Sequence, residues 1–385
     1  MAGLSKIYLD YAAATPIDRR VLAVMAPYWD ERFYNPAALY QPAREVKRDL
    51  ERARAKIAKW LGARPSEILF TAGATESINL ALRGSIHSGR DELIVSAIEH
   101  EAVLAAAGLK AKLVRVKNDG QIDMERLREL ITDQTKLVSV GYVNGEVGTI
   151  QPIIKISRLI QQVRTDRARR GIRQALLFHT DAAQAAGYSS LAVNSLGVDL
   201  LTLSGSKIYG PKQAAVLYVR TGVNLLPLVV GGGQERGLRA GTENVAGIIG
   251  LAQALEIAQT QRVSETARLQ SLRNGLIKQL SKTIKGVSVN GATKQRSPAN
   301  LNITIAGVSG ETLVHYLDQR GVMVSTGAAC SANSDKPSHV LLALGLSKEQ
   351  VNSSLRISLG RPTTATELKR FVSLLQAVVQ QLRRA

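Results

Sequence analysis

Short apolar runs alternate with helical segments between residues 65 and 220, and this alternation limits the possible folds more than any other feature. Strands separated by helices indicate a mainly parallel sheet with helices covering both faces. The runs that are typical of strands are residues 68–70, 93–96, 113–116, 137–142, 175–178, 200–203 and 214–219. The sequence therefore predicts a large α/β domain built on a seven-stranded, mainly parallel sheet.

A second, smaller unit follows the sheet region. After residue 244 the pattern predicts a helix of about 30 residues, long for a globular protein, and helical and strand patterns then alternate from about residue 264. The last helix opens with a capping box, Thr364 to Glu367. We expect an N-terminal segment (residues 1–20) packing with the small domain, a large domain (21–255) and a small α+β domain (256–385).

Composition narrows the class of protein. Of the 385 residues 45% are apolar, enough for a sizeable core, and neither a signal peptide nor a membrane-spanning run is visible. We therefore expect a cytoplasmic protein with no membrane partner. The net charge of +19 favours acidic partners, but aromatic residues make up only 4% and the basic residues cluster at helical spacing. We expect no direct nucleic-acid binding, whereas an acidic protein partner remains open.

Chemically active residues follow the predicted strands at the points where they end. In an open α/β sheet, ligands bind outside the carboxyl ends of the strands. Thr75 lies in a glycine-containing turn that opens a helix, a place where free amides and a hydroxyl hold phosphate. His100 and Asp181 follow two further strands. Lys207 ends the run 200–203 among serine and glycine residues, conditions under which an amine loses its proton and becomes nucleophilic.

These parts together are those needed to bind pyridoxal 5′-phosphate. Each is weak alone, because an isolated aspartate such as Asp181 is usually a helix cap, a lone histidine is usually a satisfied interior residue, and short lysine motifs match by accident. Their occurrence in order at successive strand ends favours a cofactor site. A lysine for covalent attachment and a carboxylate for the pyridine nitrogen are both present.

The motifs resemble those of the cysteine desulfurases, within the class-V aminotransferase-like group of fold-type I pyridoxal phosphate enzymes. The resemblance covers almost the whole chain. The matching stretches are YLDYAAATP (8–16), TAGATESIN (71–79), EH (99–100), DAAQ (181–184), SGSKIYGPK (204–212), GGGQERG (231–237) and SLRISLGR (354–361). So many matches in order are specific for the family, and they imply a fold-type I transferase.

The resemblance also implies a role for each matching residue. L-cysteine would be the substrate, Lys207 would hold the cofactor and move the α-proton, and His100 would stack on the ring and shuttle a proton. Arg356 would bind the substrate carboxylate as a bidentate donor, with help from Asn35. The remaining cofactor contacts would come from Asp181 to the pyridine nitrogen, Gln184 to the 3-oxygen, Thr75, Ser204 and Ser206 to the phosphate, and Thr242 to the phosphate from a second subunit of a homodimer.

Cys330 is the one cysteine of the chain, which excludes an internal disulfide. Lone cysteines are usually buried and inert, but this one lies among glycine, alanine, serine and asparagine residues, which bury little and predict a movable loop. The resemblance implies that Cys330 accepts sulfur as a persulfide. A sulfur-acceptor protein, either an iron–sulfur scaffold or a tRNA thiolation factor, would then receive it.

Three positions depart from the commoner family pattern. Gly145 stands where many relatives have asparagine, Ser206 replaces a frequent histidine, and residues 37–41 lack the usual serine and histidine. These departures leave two other hypotheses open. One is a selenocysteine lyase or small-amino-acid aminotransferase; the other is a degenerate paralogue that acts only as a basic binding partner.

Overall fold

The computed structural model describes residues 6–327 and 337–384. Within these ranges the strands are β1 (Ile7–Tyr8), β2 (Ile68–Thr71), β3 (Glu92–Ser96), β4 (Lys112–Val114), β5 (Thr135–Ser139), β6 (Leu177–Asp181), β7 (Leu200–Ser204), β8 (Ala215–Val219), β9 (Val287–Val289), β10 (Asn300–Ile305), β11 (Val322–Met323) and β12 (Ser354–Ser358). The α-helices are α1 (Arg19–Met25), α2 (Gln41–Leu61), α3 (Ala74–Arg83), α4 (Glu101–Ala107), α5 (Met124–Leu130), α6 (Ile153–Arg169), α7 (Val193–Leu196), α8 (Val245–Thr260), α9 (Arg262–Thr283), α10 (Gly310–Asp318), α11 (His339–Ala343), α12 (Lys348–Asn352) and α13 (Ala365–Leu382).

The main sheet of the described residues has seven strands in the order β2-β8-β7-β6-β5-β3-β4. Every neighbouring pair is parallel except those that involve β8, which runs antiparallel to both β2 and β7. The central strands are buried along their length, as expected for a sheet with helices on both faces. The predicted seven-stranded, mainly parallel α/β fold is therefore confirmed.

The C-terminal part forms its own antiparallel sheet in the order β12-β10-β9. Apolar side chains from α9, α10 and α13 pack on it, and Leu301, Phe371 and Leu375 are fully buried in that cluster. The N-terminal strand β1 pairs in parallel with β11, joining Ile7 to Val322. The first residues of the chain thus lie against this C-terminal unit, while the domain boundaries themselves stay a prediction.

The prediction of one helix of about 30 residues after residue 244 is wrong. Two helices occur instead, α8 and α9, and they meet at Gln261, which closes the first and precedes the second. The Gln261 amide donates to Ile257 O at 3.1 Å, and the chain changes direction there. Neither helix, nor any other in the described part of the chain, is long and apolar enough to cross a membrane.

The sequence patterns predict most ends of helices and strands to within a few residues of their positions in the structure. The capping box at the start of α13 is present, with Thr364 and Glu367 exchanging side-chain to backbone hydrogen bonds. One shift matters for the site, because β6 runs to Asp181 rather than ending at Phe178. Asp181 is therefore fixed by the sheet itself, and it pairs in register with Thr202 of β7.

Candidate active site

A cavity of about 480 Å³ opens at the carboxyl ends of the parallel strands. One wall, called the large-domain wall below, comes from the loops that follow β2, β3, β5, β6 and β7. The other, called the small-domain wall, comes from the C-terminal unit and the N-terminal segment. The predicted site residues that line it are Thr75, His100, Asp181, Gln184, Ser204, Ser206, Lys207 and Arg356. The structure therefore brings together residues separated by up to 281 positions, from Thr75 to Arg356.

Lys207 lies in a short 3₁₀ turn, Gly205–Lys207, directly after β7. The turn is tight, because a Cβ on Gly205 would lie 2.7 Å from Pro211 O. The Lys207 Nζ donates to the carbonyl oxygens of Ala12 at 3.0 Å and Ala13 at 2.6 Å. The N-terminal segment thus holds the amine at the cavity wall, where it can reach a bound ligand.

Asp181 is partly buried at the end of β6, and the Ala183 amide donates to its Oδ1 at 2.9 Å. Burial raises the pKa of Asp181 above its ordinary value. The Ala183 hydrogen bond and the charges of His100 and Lys207 act against this rise. A cationic ring nitrogen bound beside this carboxyl would stabilise its ionised form.

Glu99 is a second acid in the same wall, and sequence analysis gave it no role. It is 4% exposed, and its Oε1 accepts from the Gly141 amide at 2.7 Å. Burial, with a smaller contribution from the charge of Asp181, raises the pKa of Glu99 to about 8. A Cβ at position 141 would lie 3.1 Å from Glu99 Oε2, so glycine there allows the carboxyl to approach the strand end. At neutral pH this acid carries its proton.

The phosphate-binding part of the predicted site lies at the start of α3. Its N-cap residue, Gly73, supplies no side-chain hydrogen bond to the first turn, which leaves amides available to an anion. Thr75 is exposed in this first turn. Across the cavity the hydroxyls of Ser204 and Ser206 are 2.9 Å apart, and either one can turn towards a ligand oxygen.

Arg356 lies in β12 and projects into the cavity from the opposite wall. It is 5% exposed, its Nη1 donates to Gly327 O at 2.7 Å, and its Nη2 donates to Asp10 Oδ1 at 2.8 Å. Its Nε is buried without a hydrogen-bond partner among the described residues. A buried, unpaired donor beside a cavity is suited to an anionic ligand such as a carboxylate.

His100 and Gln184 complete the cavity residues that the sequence singled out. His100 is exposed and caps α4, with Nδ1 accepting from the Ala102 amide at 3.1 Å. Gln184 Nε2 donates to Ala12 O at 3.0 Å. A Cβ on Gly145 would lie 3.1 Å from this same nitrogen. The glycine that departs from the family pattern therefore leaves room for the present position of Gln184.

Two predicted residues, Asn35 and Thr242, are not brought into this cavity. Asn35 is exposed, and its side-chain oxygen accepts from the Ala37 amide at 2.9 Å. Thr242 is also exposed and lines a separate cavity beside Phe70 and Arg239. Cys330, the predicted sulfur carrier, lies outside the described residues.

Several residues around the cavity were not predicted from the sequence. Glu99 stands next to His100 and Glu146 follows Gly145, and both are buried acids that line the cavity. The ion pair of Asp10 with Arg356 was also missed. Both residues stand in matched motifs, but nothing in their spacing indicates that they meet. The one signal available in the sequence was an acidic residue next to a residue singled out from a motif, as Glu99 is next to His100.

The residues present fit pyridoxal phosphate. An amine, a buried acid that a cationic ring nitrogen would stabilise, and an uncapped helix start lie around one cavity of suitable size. These are the three partners that the aldehyde, the ring nitrogen and the phosphate of this cofactor require. Lys207, Asp181 and the start of α3 are thus the groups that could hold it.

The relatives of this chain among known proteins agree with one another. The family model described as aminotransferase class-V matches residues 7–371. A cysteine desulfurase IscS of Dictyoglomus turgidum is 40% identical, covering 98% of this chain and 95% of the relative. One of Methanosarcina thermophila is also 40% identical, covering 98% and 93%.

Solved structures include proteins that are similar to this chain over nearly its whole length. A NifS-like protein has a TM-score of 0.89 at 34% identity, covering 98% of this chain and all of the other. A structure titled SspA in complex with cysteine has a TM-score of 0.79 at 35% identity, covering 92% and 99%. The chain therefore belongs to the aminotransferase class-V family.

Proposed function

We propose that this protein is a pyridoxal phosphate-dependent cysteine desulfurase, which converts L-cysteine to L-alanine and passes the sulfur to Cys330 as a persulfide. The observation that carries the proposal is the convergence of Lys207, Asp181 and Arg356 on one cavity at the strand ends. The relatives named cysteine desulfurase, at 40% identity over nearly the whole chain, support the choice of reaction.

The large-domain wall would hold the cofactor. Lys207 attaches it, Asp181 keeps a positive charge on the ring nitrogen, and Gln184 contacts the 3-oxygen. Phosphate oxygens are bound by Thr75 and the amides at the start of α3, with Ser204 and Ser206 from the next strand end. When bound, the cofactor supplies an electron-accepting ring that stabilises negative charge at the substrate α-carbon.

The small-domain wall would orient the substrate. Arg356 binds the α-carboxylate through its guanidinium, which lines the cavity. This places the α-proton near Lys207, whose amine removes it and returns it. His100, exposed at the start of α4, donates and accepts a proton at the cavity mouth.

Sulfur transfer requires a nucleophile besides these groups. The Cys330 thiolate attacks the substrate sulfur, the bond between this sulfur and the β-carbon breaks, and its electron pair stays with carbon. Protonation of that carbon gives L-alanine, and Cys330 carries the sulfur as a persulfide. A thiol reductant or an acceptor protein then removes it. The assignment of Cys330 depends on its sequence context, because the residue lies outside the described ranges.

A homodimer is part of the proposal. Thr242 is exposed and lines a cavity other than the main one, as a residue that serves a second subunit could. Exposed apolar side chains occur nearby in the sequence, with Val230 77% exposed and Leu226 48% exposed. The sulfur acceptor would be an iron–sulfur scaffold or a tRNA thiolation factor, and L-cysteine is the substrate.

The test is turnover of purified protein with L-cysteine and a thiol reductant. We expect equimolar L-alanine and sulfide, a loss of nearly all turnover in Cys330→Ala, and unchanged cofactor content in that variant. Turnover that survives Cys330→Ala unchanged would reject the persulfide step. Absence of both products from cofactor-loaded wild type would reject the reaction.

A further inference from the structure

Arg356 is a buried cation whose counter-ion comes from the N-terminal segment. Its Nη2 lies 2.8 Å from Asp10 Oδ1, and the two side chains are 6% and 18% exposed. Among residues 6–327 and 337–384, Asp10 is the only acid within ion-pair distance of this guanidinium. A cation this buried needs such a partner, because an unpaired buried charge is costly.

Asp10 contacts Arg356 but does not itself line the cavity. Arg356 lines the cavity, whereas Asp10 is absent from its walls. Backbone contacts fix Asp10, which bridges to Ser358 of β12. Its carbonyl oxygen accepts from Tyr8 Oη at 2.9 Å and from the Ala13 amide at 3.0 Å. A ligand can therefore enter without displacing this carboxylate.

Glu146, the other acid near Arg356, is not its counter-ion. Glu146 lines the cavity, and its Oε1 accepts from the Ser338 hydroxyl at 2.5 Å. Burial raises the pKa of Glu146, which favours its neutral form. Glu146 is not within ion-pair distance of the guanidinium, so among the described residues Asp10 is the acid in contact with it.

We propose that Asp10 is a resident counter-ion that limits how tightly Arg356 holds an amino-acid carboxylate. The inference rests on the proposed function, in which Arg356 binds the carboxylates of L-cysteine and L-alanine. A ligand carboxylate meets a guanidinium that is already neutralised, and it is repelled by the second carboxylate behind it. Two like charges a few ångströms apart repel each other strongly enough to change a dissociation constant measurably. Asp10 is therefore a specificity-determining and positioning residue that keeps substrate and product exchangeable.

The experiment compares the holoenzyme with its Asp10→Asn variant, which keeps a hydrogen-bond acceptor for Arg356 and removes the charge. The dissociation constant of L-alanine is measured by titration. We expect it to fall about tenfold, and the KM for L-cysteine to fall in the same direction. Binding of L-alaninamide, which has no carboxylate, should change much less. An unchanged or weaker affinity for L-alanine would overturn the proposal, as would equal tightening of L-alaninamide.

Two further variants complete the design. Asp18→Asn removes the other ion pair between the N-terminal region and the end of β12, Asp18 with Arg361 at 3.1 Å, and should leave L-alanine binding unchanged. If Asp10→Asn does not fold, Asp10→Ser also removes the charge and is judged by the same criteria.

The Arg356→Gln variant distinguishes failure of the proposed function from failure of the counter-ion inference alone. If this variant binds L-alanine as well as wild type does, the proposed carboxylate role of Arg356 fails, and the counter-ion inference fails with it. If it weakens binding while loss of the Asp10 charge does not tighten it, only the counter-ion inference fails.

Discussion

The cavity lies between a large-domain wall that carries the half-buried acid Asp181 and the buried acid Glu99, and a small-domain wall that carries the buried cation Arg356. On the small-domain wall the charge has a partner within the protein, the Asp10 carboxylate at 2.8 Å. On the large-domain wall, Glu99 and Asp181 accept hydrogen bonds from the amides of Gly141 and Ala183, and burial raises the pKa of both acids.

This difference indicates what each wall is built to receive. An acid whose pKa is raised by burial gains most from a ligand that brings positive charge, as a protonated ring nitrogen does. A cation that already has a counter-ion binds a second anion less tightly. Weaker binding suits a substrate and a product that must exchange at the site. The following predictions test this contrast in order of expected effect.

Asp181→Asn should have the largest effect. The amide cannot keep a positive charge on the ring nitrogen, so we expect kcat/KM for L-cysteine to fall about a thousandfold or more. Steady-state kinetics at saturating cofactor measure this. Thermal melting without cofactor should change little or rise, because the variant removes an acid whose ionised form burial disfavours. A kcat/KM within tenfold of wild type would mean that the large-domain wall does not act through this charge.

Arg356→Gln should have the next largest effect, and mainly on KM. Loss of a charge-assisted, bidentate contact with the carboxylate should raise the KM for L-cysteine about a hundredfold. Arg361→Gln is the matched control, because Arg361 follows the same strand and pairs with Asp18 outside the cavity. Equal KM values for the two variants would contradict the special position of Arg356.

Glu99→Gln should change the pH dependence of stability. The pKa of Glu99 is raised from 4.5 to about 8, so the folded protein binds more protons than the unfolded chain between these pH values. The stability that this acid contributes is complete below about pH 4.5 and is lost as the pH rises through about 8. Glutamine stays neutral throughout. The melting temperature of cofactor-free wild type should therefore fall relative to the variant across this range.

Melting curves of both proteins in one buffer series supply the measurement for Glu99. Other titrating groups are common to wild type and variant, so they cancel in the difference. Two curves that stay parallel from pH 5 to pH 9 would show that Glu99 does not exchange its proton in this window.

Asp18→Asn should have the smallest effect. Asp18 pairs with Arg361 and with the exposed Arg20, and neither pair lies in the cavity, so loss of the Asp18 charge should cost about 1 kcal/mol of unfolding free energy. Asparagine also keeps the N-cap of α1. Chemical denaturation measures the difference, and a KM change above twofold would argue against its use as a neutral comparison with Asp10.

The sheet and much of the large-domain wall were predictable from local patterns. Each strand of the large sheet has its own apolar run, and residues at strand ends, such as His100, Asp181 and Lys207, meet wherever such a sheet forms. The helix break at Gln261 had no signal, because neither glycine nor proline marks it. The pairing of Asp10 with Arg356 depends on tertiary packing across 346 positions, and the raised pKa of Glu99 depends on burial. Neither property is contained in a local pattern.

The most direct test of the account is the site of cofactor attachment. The holoenzyme is reduced with borohydride and digested, and the modified peptide is identified by mass spectrometry. The account predicts a single pyridoxyl group on Lys207, with none on Lys212, which lines the same cavity. A protein saturated with cofactor but unmodified at Lys207 would contradict the central claim that this cavity is the catalytic centre.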